Sequence, residues 1–347
     1  MKKILLYSAM FMLVLSACRK KDKCEITAGF STTYDSINGK VTFTSTSSGD
    51  VTAYAWNFGD GTTGSGASVV KAFTKSGTKN VSLTITGSES SCTNSTSRAV
   101  SVPLSMIAIE QKKRAILFDF SETWCPPCGS YGGPSFDSCI VLENSKISLM
   151  KVYGSSQPSS MNFGTPYNSM NSAFNVSGVP TFFVNETEMF GGGGVSATIS
   201  YNVNWVKTKA DAFATGTVDA GLNLGMSIVG DTIVAESTVK FFTAQASGDF
   251  RLALYVVEDE IIASQSTGTG VVSNYEHRNL ARACNATTYT GAKLNNSIAV
   301  TAGQKFSTTH KFAINSAWKK DHLKLIGVIY KMNGSKGTVV NSLTFKQ

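Results

Sequence analysis

Apolar and polar residues alternate along much of the chain, and the period changes from region to region. Val41-Thr42-Phe43-Thr44, Tyr54-Ala55-Trp56-Asn57-Phe58 and Val81-Ser82-Leu83-Thr84-Ile85 have a period of two, which predicts strands with one buried face. Ser47 to Asp50, Gly59-Asp60-Gly61 and Ser76-Gly77 supply turns between them. Residues 24–103 therefore read as a small antiparallel β-sandwich. The next stretch differs. Ala115 to Phe120 is a continuous apolar run, suited to a buried strand. Residues 135–143 fit a helix, Ile147 to Tyr153 a strand, and Met161 to Val176 an irregular helix. Thr181 to Val184 and Glu188 to Phe190 are strand-like, and Ser196 to Ala214 is helical. Residues 104–215 thus have the order β-α-β-α-β-β-α. Beyond them, Leu222–Ile228, Thr232–Ala235, Val239–Phe242, Leu252–Val257 and Leu323–Tyr330 predict strands without a strong helix, a second sandwich over 216–347.

The first residues are an address. Lys2 and Lys3 precede an apolar run from Ile4 to Leu15, too short to span a bilayer and typical of a cleaved signal peptide over residues 1–17. Its ending, Leu15-Ser16-Ala17-Cys18, resembles a bacterial lipobox. That resemblance implies cleavage before Cys18 and a diacylglycerol on its thiol, so that a lipid holds the protein at a membrane. Residues 18–23 then form a basic tether, either a plain spacer or a contact for anionic headgroups.

The chain has 347 residues, of which 42% are hydrophobic and 16% charged, a globular composition long enough for several domains. The 31 Lys and Arg outnumber the 23 Asp and Glu but are scattered, with no basic helix or aromatic-basic stripe, so nucleic acid is not an expected partner. His277, His310 and His322 do not have metal-ligand spacing, and no metal site is expected. His277, within the polar-aromatic cluster Asn274 to Arg282, reads as a hydrogen-bonded structural histidine, with a site residue as the alternative. The cysteines are 18, 24, 92, 125, 128, 139 and 284. With Cys18 lipidated, six remain in an exported protein, where disulfides form. Cys24 and Cys92 bracket the first sandwich and are a natural structural bridge. Cys125 and Cys128 form a C-x-x-C. Cys139 and Cys284 either pair or stay as thiols.

Trp56-Asn57-Phe58-Gly59-Asp60-Gly61-Thr62 resembles the signature turn of PKD domains, an immunoglobulin-like module, and Gly77 to Leu83 resembles the family's other recurring strand. Lys79 and Lys71 replace a usual tyrosine and histidine, outside the signature. The glycines supply positive φ, Asp60 accepts backbone amides, and Trp56 and Phe58 share a buried face. A carbohydrate or calcium site at Asp60 is the functional alternative to that structural role. The module reads as a spacer or docking domain for a protein or glycan partner.

Trp124-Cys125-Pro126-Pro127-Cys128 follows directly on a predicted strand, and Gly178-Val179-Pro180-Thr181 leads into another. Together with Asp119, six residues before Cys125, these features resemble the thioredoxin family. The resemblance implies Cys125 as nucleophile at a helix N-terminus, where the dipole favours the thiolate, and Cys128 as the resolving thiol. It implies Asp119 as a buried carboxylate that takes and returns the proton of Cys128, and Pro180 as a cis proline shaping the groove. Trp124, Pro126 and Pro127 would support the site. Alternation places Phe118 and Phe120 on the face opposite Asp119, which favours its burial. Two departures stand out. Pro134 lies six residues after Cys128 where the family's kink proline lies five after, so the first helix should be loosened. Pro126 and Pro127 lack N–H donors for the Cys125 thiolate, which argues against a strongly oxidising site.

A thioredoxin-like stretch followed by a β domain in a lipoprotein resembles the Omp28-related outer membrane proteins of Gram-negative bacteria, here with a PKD module in front. Two functions follow from these resemblances. One is a lipid-anchored thiol–disulfide oxidoreductase of the cell envelope, at the outer membrane, acting on thiols or disulfides of exported proteins with no dissociable cofactor. The other is a non-enzymatic binding lipoprotein that uses the same folds as a scaffold.

Overall fold

A computed structural model describes residues 24–143, 145–154, 161–192 and 194–346. The signal peptide, Cys18 and the tether lie outside the described residues. The chain divides into two units by its contacts. One holds residues 24–33, 42–70 and 79–100, the other residues 34–41, 71–78 and 101–346.

The alternating N-terminal segments form β1 (Phe30–Asp35), β2 (Lys40–Ser45), β3 (Val51–Asn57), β4 (Thr63–Ser65), β5 (Ser68–Lys71), β6 (Gly77–Gly87) and β7 (Thr93–Val102). Their sheets have the orders β1-β2-β5 and β4-β3-β6-β7. Period-two burial puts Phe30, Phe43, Trp56 and Phe58 in one aromatic cluster, with neighbouring ring centroids 5.2–6.4 Å apart. Trp56 Nε1 donates to the carbonyl of Gly66 at 2.9 Å, which satisfies its one polar atom. Asp60 Oδ1 accepts the backbone N–H of Thr62 at 3.0 Å, so its carboxylate stabilises the turn. Gly59 has φ +70°, and a β-carbon there would stand 2.6 Å from the Asn80 carbonyl oxygen. Cys24 and Cys92 are disulfide-bonded, with Cα atoms 5.3 Å apart.

In the second unit the strands are β8 (Ala115–Ser121), β9 (Ile147–Tyr153), β10 (Thr181–Val184) and β11 (Thr187–Glu188). The helices are α1 (Gly133–Ser138), α2 (Thr165–Phe174) and α3 (Ile199–Ala214), in the order the pattern predicts. β8 and β9 pair in parallel, and β10 is antiparallel to β8. Every residue of β8 and β9 is buried, because both faces are covered. Ala115, Leu117, Ile147 and Leu149 share a core with Phe136, Val206 and Ala210 of α1 and α3. Ile116, Phe118, Phe120, Met150 and Val152 face Met170 of α2.

Seven longer strands follow: β12 (Ala220–Val229), β13 (Thr232–Phe241), β14 (Phe250–Glu258), β15 (Ile261–Thr267), β16 (Gly270–His277), β17 (Leu280–Cys284) and, after the short β18 (Ala292–Lys293), β19 (Lys305–Ala313). β20 (Leu323–Asn333) and β21 (Lys336–Lys346) end the chain. Here the structure differs from the sequence reading in three ways. Thr232 to Phe241 is one strand where two were predicted, since Ser237 and Thr238 stay in register with Thr308 and Ser307 of β19. The strands of 216–347 do not stand apart from 104–215 either. One nine-stranded sheet has the order β11-β10-β8-β9-β17-β14-β20-β21, with β18 on β14. Leu280 of β17 pairs in parallel with Lys151 of β9, and Tyr255, Ile326 and Tyr330 share the core of Phe118 and Val152. β12, β13 and β19 form a second layer over the other face of β14 and β20, around Leu222, Ile233, Leu252 and Leu325. Third, the helix expected at 135–143 is split into α1 and a 3-10 turn over Ile140–Leu142, and a π-helical turn over Cys128–Gly132 precedes it. The π turn takes up the extra residue before Pro134.

Candidate functional site

Cys125 and Cys128 stand at the C-terminal end of β8, where the chain turns into the π turn, and they are disulfide-bonded. Cys128 N–H donates to Cys125 Sγ at 3.1 Å, a donor that the two prolines do not provide. Val179–Pro180 is a cis peptide, and Cys125 Sγ lies 3.5 Å from the Val179 carbonyl oxygen. Gly132 permits this approach, because a β-carbon there would stand 2.8 Å from Pro180 Cβ. Pro126 is exposed and Pro127 half-buried. Trp124 is 58% exposed beside the disulfide, whereas Cys125 and Cys128 are each only 2% exposed. Cys125, the expected nucleophile, is thus as covered as Cys128.

A group of buried polar side chains lies on β8 and β9. Asp119 is fully buried, and neither carboxylate oxygen has a hydrogen bond. Its register partner on β9 is Lys151, whose Nζ is 3.8 Å away, an ion pair too long for a hydrogen bond. Burial pushes the Asp119 carboxyl up to about 7; Lys151 opposes the rise and Asp137 adds to it. Lys151 also lies over the Phe136 ring, 4.9 Å from its centroid. The nearby Cys139 is a free thiol, which burial and then the charges of Asp119 and Asp137 push up to about 12. Cys284 is likewise free and is pushed by burial up to about 12, so this pair is not bridged.

Residues far along the chain complete the site. His277 of β16 is buried and shares a 2.7 Å hydrogen bond between Nδ1 and the Tyr153 hydroxyl. Burial, helped by the charge of Lys151, lowers its pKa to about 4, which keeps it neutral near pH 7. The Glu122 carboxylate accepts the Gly154 N–H at 2.9 Å. Gln265 of β15 donates through Nε2 to the carbonyls of Glu122 at 3.2 Å and Cys125 at 3.1 Å. Sequence reasoning missed Lys151, Glu122 and Gln265. For Lys151 a signal existed, a single lysine inside an apolar strand. For Gln265 none did, because its partners are distant in sequence.

A buried strand that carries a fully buried carboxyl thus leads into a disulfide beside a cis proline, within a β-rich protein. The comparisons give the family. Residues 167–345 match outer membrane protein Omp28, and residues 25–102 match the PKD domain. The chain belongs to the Omp28 family, which gives it a cell-envelope location. Among the described residues no helix is long and apolar enough to cross a membrane. HBP35 of Porphyromonas gingivalis has a similar fold, with TM-score 0.54 and 18% identity over 68% of this chain and 76% of that one. The PKD1 domain of Vibrio anguillarum Epp is 31% identical over 22% of this chain and 92% of that one, with TM-score 0.21. A domain of the outer membrane lipoprotein Omp28 from Porphyromonas gingivalis is 9% identical over 37% of this chain and 88% of that one, with TM-score 0.22. No curated protein matches the chain.

Proposed function

We propose that the protein is a lipid-anchored thiol–disulfide oxidoreductase of the cell envelope, whose thioredoxin-like segment exchanges Cys125–Cys128 with thiols or disulfides of exported proteins. The observation that carries this reading is the placement of the disulfide just after β8, with Asp119 buried on that strand without a hydrogen bond and cis Pro180 beside the sulfurs. In the reductive direction Cys125 thiolate attacks a partner disulfide and forms a mixed disulfide, and the partner's other sulfur leaves as thiolate. Cys128 thiolate then attacks Cys125 Sγ, the bond to the partner breaks, and the pair is left oxidised. The partner gains two electrons. With a carboxyl that titrates near 7, Asp119 is suited to accept the Cys128 proton as the attack begins. The chemistry resides in the two sulfurs, so no cofactor is assigned. The lipid is assigned to Cys18, and the outer membrane is the proposed site of anchorage. The PKD module is assigned a spacer or docking role toward a protein or glycan.

A second reading has its own support: both sulfurs are covered. In it the disulfide is a static cross-link and the protein is a binding scaffold. The reduction potential of the pair, measured together with insulin turnover, separates the two. The reductive form of the redox reading requires a potential in the thioredoxin range and catalytic insulin reduction, and a potential near that of DsbA keeps the exchange but reverses its direction.

A further inference from the structure

Besides the Val179–Pro180 loop, one further element packs specifically against the disulfide loop. β15 and β16 form a two-stranded hairpin outside the main sheet. Buried Gln265 joins it to the carbonyls of Glu122 and Cys125. Ser266 N–H donates to the Thr123 carbonyl at 2.7 Å, and Gly268 N–H donates to Ser130 Oγ at 2.7 Å. The hairpin therefore bonds to the loop on both sides of Cys125 and Cys128. The fit leaves no room for a methyl group. A β-carbon on Gly129 would overlap the Ser266 carbonyl oxygen and stand 2.7 Å from Gln265 Cγ. One on Gly133 would overlap the Tyr275 hydroxyl. The outer part of the hairpin is unsupported by comparison: Val271 and Val272 are exposed, and Gly270 at the tip has φ +129°. Two-stranded hairpins have marginal stability of their own, so this one is held by its contacts and can leave when they are lost.

We propose that the β15–β16 hairpin is a clamp on the disulfide loop, with Gln265 as its positioning residue, and that thiol–disulfide exchange at Cys125 proceeds from a state in which the hairpin has left residues 122–133. This inference deepens the redox reading and rests on it for its biological use. It also reconciles the buried sulfurs with exchange chemistry, because an attacking thiolate needs access to a sulfur. The clamp thereby selects partners able to displace the hairpin or take its place along Glu122–Cys125.

Dithiothreitol tests the clamp on the full-length oxidised protein. Its thiolate attacks Cys125 Sγ, the Cys125–Cys128 bond breaks, and Cys128 takes up a proton. The second dithiothreitol sulfur then closes on the first and releases Cys125, so two electrons pass from dithiothreitol to the protein. Reduction is followed by alkylation and mass in wild type, Gln265→Ala and Gly129→Ala. In wild type the rate should level off with rising dithiothreitol, as hairpin opening becomes limiting. At low reagent both variants should react at least tenfold faster. Should Gly129→Ala not fold, Gln265→Ala alone decides. A wild-type rate linear in dithiothreitol and equal to that of folded Gln265→Ala overturns the clamp. Insulin turnover separates the two readings: faster dithiothreitol reduction in the variants with no insulin reduction by any protein upholds the clamp and overturns the oxidoreductase.

Discussion

Asp119→Asn tests the electrostatics of the candidate site most sharply. The native carboxyl is fully buried without a hydrogen bond and titrates at about 7, against an ordinary value of 3.8. Between those pH values the native state binds more protons at this group than the unfolded state does. Its contribution to stability is therefore full below about pH 3.8 and is lost as the pH rises through about 7. A shift of about three pH units corresponds to about 4 kcal/mol at high pH. At pH 5.5 roughly 2 kcal/mol of that has been lost, and at pH 8.5 nearly all of it. Asparagine has no charge to bury, so the variant lacks this dependence. Whatever the amide costs in packing is the same at both pH values. Urea unfolding of the oxidised proteins should therefore show the variant gaining about 2 kcal/mol on wild type between pH 5.5 and pH 8.5. The transition to follow is that of the unit carrying Trp124, Trp205 and Trp318. Parallel pH profiles, or a variant that loses ground on wild type as the pH rises, would refute the reasoning: Lys151 at 3.8 Å would then compensate the buried charge in full.

Two other predictions follow from particular residues. His277 has a native pKa of about 4 against an ordinary 6.5, so the unfolded state binds more protons between those values and stability falls as the pH drops through them. From pH 7.5 to pH 4.5 wild type should lose about 2–3 kcal/mol relative to His277→Gln, and equal losses in urea unfolding would contradict the assignment. Cys18→Ser should abolish lipid attachment and move the protein from the membrane to the soluble fraction after detergent-free lysis; unchanged membrane association would refute the anchor.

The parts legible in the sequence are those whose cause is local. Strand β9 has the limits Ile147–Tyr153 that its apolar run predicts, and the PKD turn is fixed by Gly59, Asp60 and Gly61 within one short segment. The loosened helix was readable from one displaced residue, Pro134, and appears as the π turn over Cys128–Gly132. His277 reads as a hydrogen-bonded histidine and is bonded to Tyr153. What was not legible depends on pairing between distant segments. The open edge of β9 accepts β17, which joins stretches that composition alone separates. Lys151 meets Asp119 only through the parallel register of β8 and β9. Residues 261–277 are polar and short-patterned, so nothing local marks a hairpin that covers a loop more than a hundred residues earlier. Together with the Val179–Pro180 loop, that hairpin lies against the Cys125–Cys128 loop, whose sulfurs are both buried.

The reduction potential of the Cys125–Cys128 pair, from a glutathione or dithiothreitol titration of the full-length protein, tests the central claim most directly. An exchanging pair without a strongly acidic thiol should lie nearer the ~−270 mV of thioredoxin than the ~−120 mV of DsbA. A value near the latter would reverse the direction toward oxidation. A potential well below about −300 mV, where structural disulfides lie, would contradict the account and leave the protein a scaffold with a static cross-link.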